Sequence, residues 1–323
     1  MALVLLLLLP FALSACGESS TSAAGSDGAT RTVTDVEGTA VTVPAHPTRV
    51  VTVSEPTIDG ALALGVTPVG AIAGRGQSGV PNYLADLAGD VPVVGSVSAL
   101  DYEAIAKLKP DLILVDGTSV NSDDVLKILR NIAPTFYAGY AGGDWREEFG
   151  RVADALNLAD KGKKVVADYD TQVAAAKKKL TTYADDTFSI VRWQGGSASV
   201  ILKELLAGQA LTDLGLKRPA SQDKRGRGHS EPVSLENLGQ IDGDYMFFGT
   251  LGGSSEGNPD AGGSSDLKGA EKALAEAREV PGWDQLTAVK EKHVIPVDGS
   301  LWTSTGGPLL MSRLVASVVK ALA

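Results

Sequence analysis

A chain of 323 residues with a formal net charge of −10 has room for two domains at roughly 100–200 residues each. Its acidity argues against nucleic acid as a partner and against charge-driven adhesion to anionic lipid. A single cysteine excludes an intrachain disulfide, and the three histidines, His46, His229 and His293, are scattered without metal-ligand spacing.

Residues Ala2 to Ala15 form an apolar run that closes on Leu13-Ser14-Ala15-Cys16. The run is too short for the roughly 20 residues of a transmembrane helix. It fits a secretory h-region of about 7–15 residues followed by small residues. The closing tetrapeptide resembles the lipobox of bacterial lipoproteins, whose thiol is acylated while the leader is cleaved. Residues 1–15 are therefore expected to be a signal peptide and Cys16 the lipidated first residue of the mature chain. The n-region carries no Lys or Arg, which leaves room for a start upstream. Residues 16–30 are rich in Ser, Gly and Ala and read as a flexible tether. Attachment to the outer face of the cell membrane then rests on the acyl chains.

Beyond the tether, strands and helices alternate. Arg49–Ser54 reads as a strand, Ile58–Gly65 as a helix stopped by glycine, and Val69–Ala73 as a second strand. Tyr102–Val115 reads as a short helix followed by a buried strand, Asp123–Arg130 as a helix, and Thr135–Tyr140 as a strand. Asp160–Thr181 places Val166, Tyr169, Val173, Ala176 and Leu180 on one face of a helix roughly 30 Å long, with Asp160 as its N-cap. Phe188–Trp193 then reads as a strand and Val200–Gly208 as a helix. Leu251–Asp266 reads as a Gly/Ser loop and Leu267–Glu279 as a helix. The segment Tyr102–Val115 aligns without gaps on Leu235–Phe248, setting Glu103 on Glu236, Ile105 on Leu238 and Asp111 on Asp244. Such an internal repeat predicts two similar halves. The expected architecture is two α/β lobes, residues 31–159 and 183–323, with largely parallel central sheets, joined by one long α-helix at 160–182.

Catalytic signatures are missing: there is no HExxH or P-loop, and no nucleophile–base pair. The run Val91–Asp116 (VPVVGSVSALDYEAIAKLKPDLILVD) resembles the first-lobe core of the ferric-siderophore and vitamin B12 type of ABC-transporter substrate-binding protein. Thr34–Ser54 resembles the opening segment of that family and Trp283–Trp302 its closing one. The resemblance implies a ligand cleft between the lobes, a Gram-positive cell-surface location, and a monomer that hydrolyses nothing itself. Its partners would be a ferric siderophore and an ABC permease with its ATPase. It also implies that Glu103 and Glu236, one on top of each lobe, dock to permease arginines.

A siderophore brings its own oxygen ligands to Fe(III), so no resident metal or cofactor is expected, only recognition of a large organic shell. Arginine suits this by forked hydrogen bonding, and tryptophan by broad rigid contact. Candidate ligand-binding residues are Arg75, Trp145, Arg192, Trp193 and Trp302, in or beside Gly-rich turns near strand ends, where open α/β sheets present ligands. Ser54, Glu55 and Thr57 follow the first strand and are expected on the cleft floor. Arg225 and Arg227 lie in a basic loop that the family resemblance sets at the cleft mouth. A hydroxamate siderophore is the first expectation for the ligand. The alternatives are a haem- or cobalamin-binding protein on the same fold, with a Tyr or His ligating the metal, and a ligand-less signalling or scaffold lipoprotein.

Overall fold

The structure, a computed structural model, describes residues 28–120, 122–226, 229–251 and 265–323. The leader, Cys16, Arg227 and most of the Leu251–Asp266 loop lie outside the described residues. The described chain opens on an antiparallel hairpin, β1 (Thr30–Thr34) with β2 (Ala40–Pro44). Two sheets follow, one to each lobe.

The first sheet contains β3 (Val50–Thr52), β4 (Gly70–Ala73), β5 (Val93–Ser96), β6 (Ala99–Leu100), β7 (Leu112–Val115) and β8 (Thr135–Tyr137). Their order is β6-β5-β4-β3-β7-β8, and every pairing is parallel except β5 with β6. The second sheet contains β9 (Phe188–Gln194), β10 (Ser197–Ile201), β11 (Ser230–Val233), β12 (Tyr245–Gly249) and β13 (Val294–Pro296), in the order β11-β10-β9-β12-β13. There β9, β12 and β13 run parallel, whereas β9, β10 and β11 form an antiparallel meander. The meander overturns the expected helix at Val200–Gly208. Gly195 and Gly196, at φ +56° and +74°, make a two-residue turn that sends Ser197–Ile201 back along β9. The helix starts later, at Leu206–Leu214.

The internal repeat corresponds to a shared structural device. Asp111, just before β7, accepts from Thr48 N (2.8 Å), Thr48 Oγ1 (2.9 Å) and Arg49 N (3.0 Å) at the start of β3. Asp244, just before β12, accepts from Thr187 N and Thr187 Oγ1, both at 2.7 Å, at the start of β9. In each lobe one carboxylate thereby fixes the register of two neighbouring parallel strands. The helical half of the repeat differs: Tyr102–Lys107 is α-helical, while Leu235–Ile241 is a 3₁₀ segment kinked at Asn237.

Sheet residues divide between a shared core and an outer core in each lobe. Leu112 and Leu114 of β7 join Phe188 and Ile190 of β9 in one cluster that runs through both lobes. Ile113 and Val115 face a first-lobe cluster with Ile72 and Leu129, and Val191 and Trp193 face a second-lobe cluster with Phe248 and Trp283. Covering both faces is what permits the unbroken apolar strand runs.

The long helix spans Ala159–Lys179 and buries Gly162, Tyr169, Val173 and Ala176. Leu158, not Asp160, occupies its N-cap; Asp160 lies in the first turn, ion-paired with Lys163 at 2.9 Å. The helix is not the only bridge between the lobes. The C-terminal helix Pro308–Leu322 packs against it, against the first-lobe helices Glu55–Ala63 and Trp145–Ala155, and against the second-lobe helix Leu206–Leu214. Asp59, wholly buried in the first lobe, accepts from Leu309 N and Leu310 N (both 2.9 Å) and from the Tyr83 hydroxyl (2.8 Å). A first-lobe carboxylate thus satisfies the free N–H groups at the start of the last helix. Among the described residues no helix is long and apolar enough to cross a membrane.

Asp59→Ala would orphan these donors in the interior. At about 1–3 kcal/mol per buried group left unpaired, we expect a loss of about 2–4 kcal/mol and a Tm lowered by roughly 5–10 °C in thermal unfolding followed by circular dichroism. Asp59→Asn, which keeps one acceptor, should fall between. An unchanged Tm would show that the carboxylate does not fasten the last helix.

Candidate functional site

The carboxyl ends of β4, β7 and β8 point toward the second lobe, and the chain segments that follow them form one wall of a crevice. Arg75 follows β4, Asp116 and Thr118 follow β7, and a turn at Gly142–Gly143 leads into the helix that carries Trp145 and Glu148. The opposite wall is Glu204–Leu206, His229 and Thr305–Gly306. The cavity between the walls is about 20 Å³. That is room for about one water. The walls therefore have to separate for anything larger to enter. At the narrowest point, a Cβ on Gly142 (φ +76°) would stand 2.5 Å from the His229 ring, so glycine is what lets the two lobes meet there.

Polar groups in this seam are buried in excess of their partners. Asp116 is 1% exposed and accepts from Thr118 N at 3.0 Å and from the Thr118 hydroxyl. Burial pushes its carboxyl up to about 6, against the pull of Thr118, Ser54 and the Arg75 charge. Glu148, 8% exposed, is raised well above the ordinary carboxylate range, first by burial and then by the charge and hydrogen bond of Asp116, with Arg151 opposing. Among the described residues Glu148 Oε1 has no hydrogen-bond partner. Across the seam, Glu204 is 5% exposed; its Oε1 accepts from Gly226 N at 2.7 Å, and its Oε2 finds no donor among the described residues. His229, at φ +64°, has a buried Nδ1 that is likewise without a described partner. Burial lowers its pKa, Glu204 opposes, and the charges of Arg75 and Arg192 lower it further. Buried polar atoms left unpaired are costly, and their concentration in one crevice marks it as a binding site.

Of the residues expected from sequence, Arg75 and Trp145 line the crevice. Arg75 Nε lies 3.3 Å from Glu55 Oε2, and Glu55 Oε1 accepts from Arg75 N (2.9 Å) and from Ser304 Oγ of the second lobe (3.1 Å). Trp145 stands edge-on to Tyr169 at 5.2 Å, under the Arg146 guanidinium at 4.6 Å, with no acceptor for its indole N–H among the described residues. Arg146 in turn binds Asp170 on the long helix (3.1 Å) and Asp213 on the Leu206–Leu214 helix (3.2 Å).

Ser54, Glu55 and Thr57 lie one layer beneath the floor. Ser54 Oγ meets Thr57 Oγ1 at 2.8 Å and hydrogen-bonds Asp116, so these residues support the wall and do not line it. Arg192 is also one layer back; it donates to Thr303 O at 2.7 Å, and burial, with the nearby Arg75 charge, brings its pKa down to about 10.

Trp193 and Trp302 correct the expectation that they sit at the cleft. Each is 1% exposed in a core. Trp193 packs on Phe248 and Trp283, while Trp302 stacks on Phe247 at 4.0 Å with its N–H given to Ser317 Oγ. Arg225 is exposed beside a separate groove with Lys224 and Pro232, and Arg227 is outside the described residues. Glu103 and Glu236 are both exposed, each in the first turn of the helical segment preceding a central strand. Asp116, Glu148, Glu204 and the seam position of His229 were missed from sequence. Glu148 alone had a readable signal, lying one turn beyond Trp145 on the same helix face. Among the described residues no group of three or more His, Cys, Asp or Glu is placed to hold a metal ion.

Known proteins share this fold and much of this sequence. The family described as "Periplasmic binding protein" matches residues 50–301. A Bacillus subtilis relative, "Probable siderophore-binding lipoprotein YfiY", is 34% identical over 314 residues, 94% of this chain and 92% of the relative. The B. subtilis "Iron(3+)-hydroxamate-binding protein FhuD" is 32% identical over 302 residues, 90% of this chain and 88% of the relative. Among solved structures, Staphylococcus aureus SirA complexed with staphyloferrin B superposes with a TM-score of 0.74 at 26% identity, covering 90% of this chain and 98% of SirA.

The raised carboxyl of Asp116 couples stability to pH. Because burial holds it above its unfolded range, the native chain binds a proton that the unfolded chain has released. The Asp116 contribution is fully present below about pH 4 and is lost as pH rises through about 6. Each pH unit over which only the native chain keeps the proton is worth about 1.4 kcal/mol. Wild type measured against Asp116→Asn should therefore lose about 3 kcal/mol of relative stability between about pH 4 and 7. Denaturant titrations across that range test it; a difference independent of pH would refute the raised Asp116 carboxyl.

Proposed function

Because this chain belongs to the periplasmic binding protein family, we propose that it captures a ferric siderophore at the outer face of the cell membrane and delivers it to an ABC importer. The observation that carries this reading is the seam crevice, where Arg75 and Trp145 of one lobe face Glu204 and His229 of the other. Relatives named for siderophore and iron–hydroxamate binding support it, as does SirA, solved with staphyloferrin B. The ligand would supply the iron's oxygen donors and the protein would grip the organic shell. The chain performs no chemistry in this reading; the transporter's ATPase supplies the energy.

The same reading gives roles to the rest of the chain. Residues 1–15 are removed, Cys16 carries the lipid, residues 16–30 form the tether, and lobes 31–159 and 183–323 flank the helix at 160–182. Two bridging helices and the Arg146 cluster restrict the lobes to small displacements. Ligand entry then proceeds by separation of the seam loops, without a wide hinge. Glu103 and Glu236 stand in solvent at corresponding places in the two lobes, where rim charges would set orientation and on-rate against a basic permease surface.

A second reading draws on one observation, the half-buried His229 imidazole in the crevice, whose buried Nδ1 has no described partner and would ligate haem iron. Haem titration separates the two: a Soret shift abolished by His229→Ala favours haem, and no shift favours the siderophore.

Intrinsic tryptophan fluorescence titrated with Fe(III) complexes of hydroxamate, catecholate and citrate chelators tests the main reading. At least one complex should quench with a micromolar or tighter Kd. Trp145→Phe should remove most of the quench, whereas Trp193→Phe and Trp302→Phe should leave it largely intact. Quenching untouched by Trp145→Phe would place the ligand elsewhere. For docking, Glu103→Ala with Glu236→Ala should lower cellular uptake of radiolabelled iron about tenfold or more, while the Kd measured on purified protein moves by less than about twofold, as expected of exposed rim charges. A matching loss of affinity would reject the docking role.

A further inference from the structure

Three carboxyl groups, Asp116 and Glu148 from the first lobe and Glu204 from the second, line one crevice. Glu148 and Glu204 are each more than nine-tenths buried, and each has a buried oxygen that no donor among the described residues satisfies. Of the nearby cations, Arg75 and Arg151 are paired with carboxylates, while Arg192, one layer behind the wall, keeps a buried Nε without a described partner. Arg75 is paired with Glu55, Arg192 gives a hydrogen bond to the Thr303 carbonyl, and Arg151 bonds the Ala138 carbonyl and pairs with Glu147. His229, its pKa lowered, adds no charge at neutral pH. Among the described lining residues the open groups are two carboxyl oxygens, one on Glu148 and one on Glu204, with the Trp145 indole N–H and His229 Nδ1, and the one guanidinium in the lining, that of Arg75, is already paired.

We propose that Glu148, Asp116 and Glu204 form an acidic subsite that receives an ammonium group of the ligand, and that the crevice thereby selects ferric complexes of zero or positive charge over trianionic ones. The proposal rests on the siderophore reading above and narrows it. Three monoanionic hydroxamates cancel the charge of Fe(III), so a tris(hydroxamate) with a terminal amine is a cation. Three catecholate dianions leave a trianion, which would face three carboxyl groups with only the committed Arg75 guanidinium in the same crevice. An ammonium donor would instead satisfy the orphaned oxygens of both walls at once and draw the lobes together across the seam.

The test uses the mature chain and three probes: the Fe(III) complex of a linear trihydroxamate with a free terminal amine, the same complex N-acetylated, and a ferric tricatecholate. Calorimetric titration should give a Kd about tenfold tighter for the amine than for its acetylated form, the difference expected of one well-placed charge-assisted hydrogen bond. The tricatecholate should bind roughly a hundredfold more weakly or worse. Glu148→Gln and Glu204→Gln, made separately on opposite walls, should each erase the amine preference, bringing the amine and acetylated complexes to the same Kd. Folding of both variants is checked by Tm, since replacing a buried acid by its amide is commonly tolerated. Equal binding of amine and acetylated complexes by wild type, or tighter binding of the tricatecholate, overturns the acidic subsite while leaving the siderophore reading standing. Failure of all three probes and of ferric citrate to bind overturns both.

Discussion

A single carboxylate, Asp59, ties the two halves of this molecule together. It lies on a first-lobe helix yet satisfies the N–H groups that open the C-terminal helix, and it takes the Tyr83 hydroxyl as well. The neighbouring glycines show how tightly the joint is drawn. A Cβ on Gly306 would collide with the Tyr83 hydroxyl, and one on Gly307 would meet Asp59 at 2.9 Å. Thr305 and Gly306 are also crevice wall, so the joint that fastens the last helix positions the site. Arg146 makes a second fastening, from the Trp145 helix to the long helix and the Leu206–Leu214 helix. With a core that runs through both lobes, the molecule is built for a seam that opens locally.

What fills that seam is decided by electrostatics in a place water barely reaches. Low dielectric strengthens each charge interaction and raises the cost of each unpaired polar atom. Glu55 illustrates the satisfied case, holding Arg75 and Ser304 together across the lobes. Glu148, Glu204 and His229 illustrate the unsatisfied one, with buried polar atoms that a ligand would complete. Trp145 adds a rigid apolar face beside them, with an indole N–H still to be used. The crevice therefore combines one broad aromatic contact with several directional acceptors, the composition expected of a small-molecule site.

Much of the frame was legible in the sequence because its signals are local. Buried parallel strands read as unbroken apolar runs, and β7 and β12 followed the Asp111 and Asp244 that clamp them. The antiparallel meander escaped because Val200 and Ile201 fit a helix as well as a strand until the turn at Gly195–Gly196 is built. At the site, residue type alone could not tell a crevice tryptophan from a core one. Alternation along β9 assigns Trp193 to the same face as Val191, a signal present in the sequence and outweighed by the adjacent glycines. Asp116 and Glu204 are carboxyls in an acidic chain, and only tertiary burial distinguishes them from solvated ones. Their meaning arises from two walls brought together from positions 88 residues apart, 116 and 204.

The most direct test is the location of the iron itself. Crystals grown with a ferric siderophore, measured at the iron absorption edge, should show one strong anomalous peak in the seam, between Trp145 and Glu148 on one side and Glu204 and His229 on the other. A peak in the separate groove beside Lys224, Arg225 and Pro232 would contradict the account.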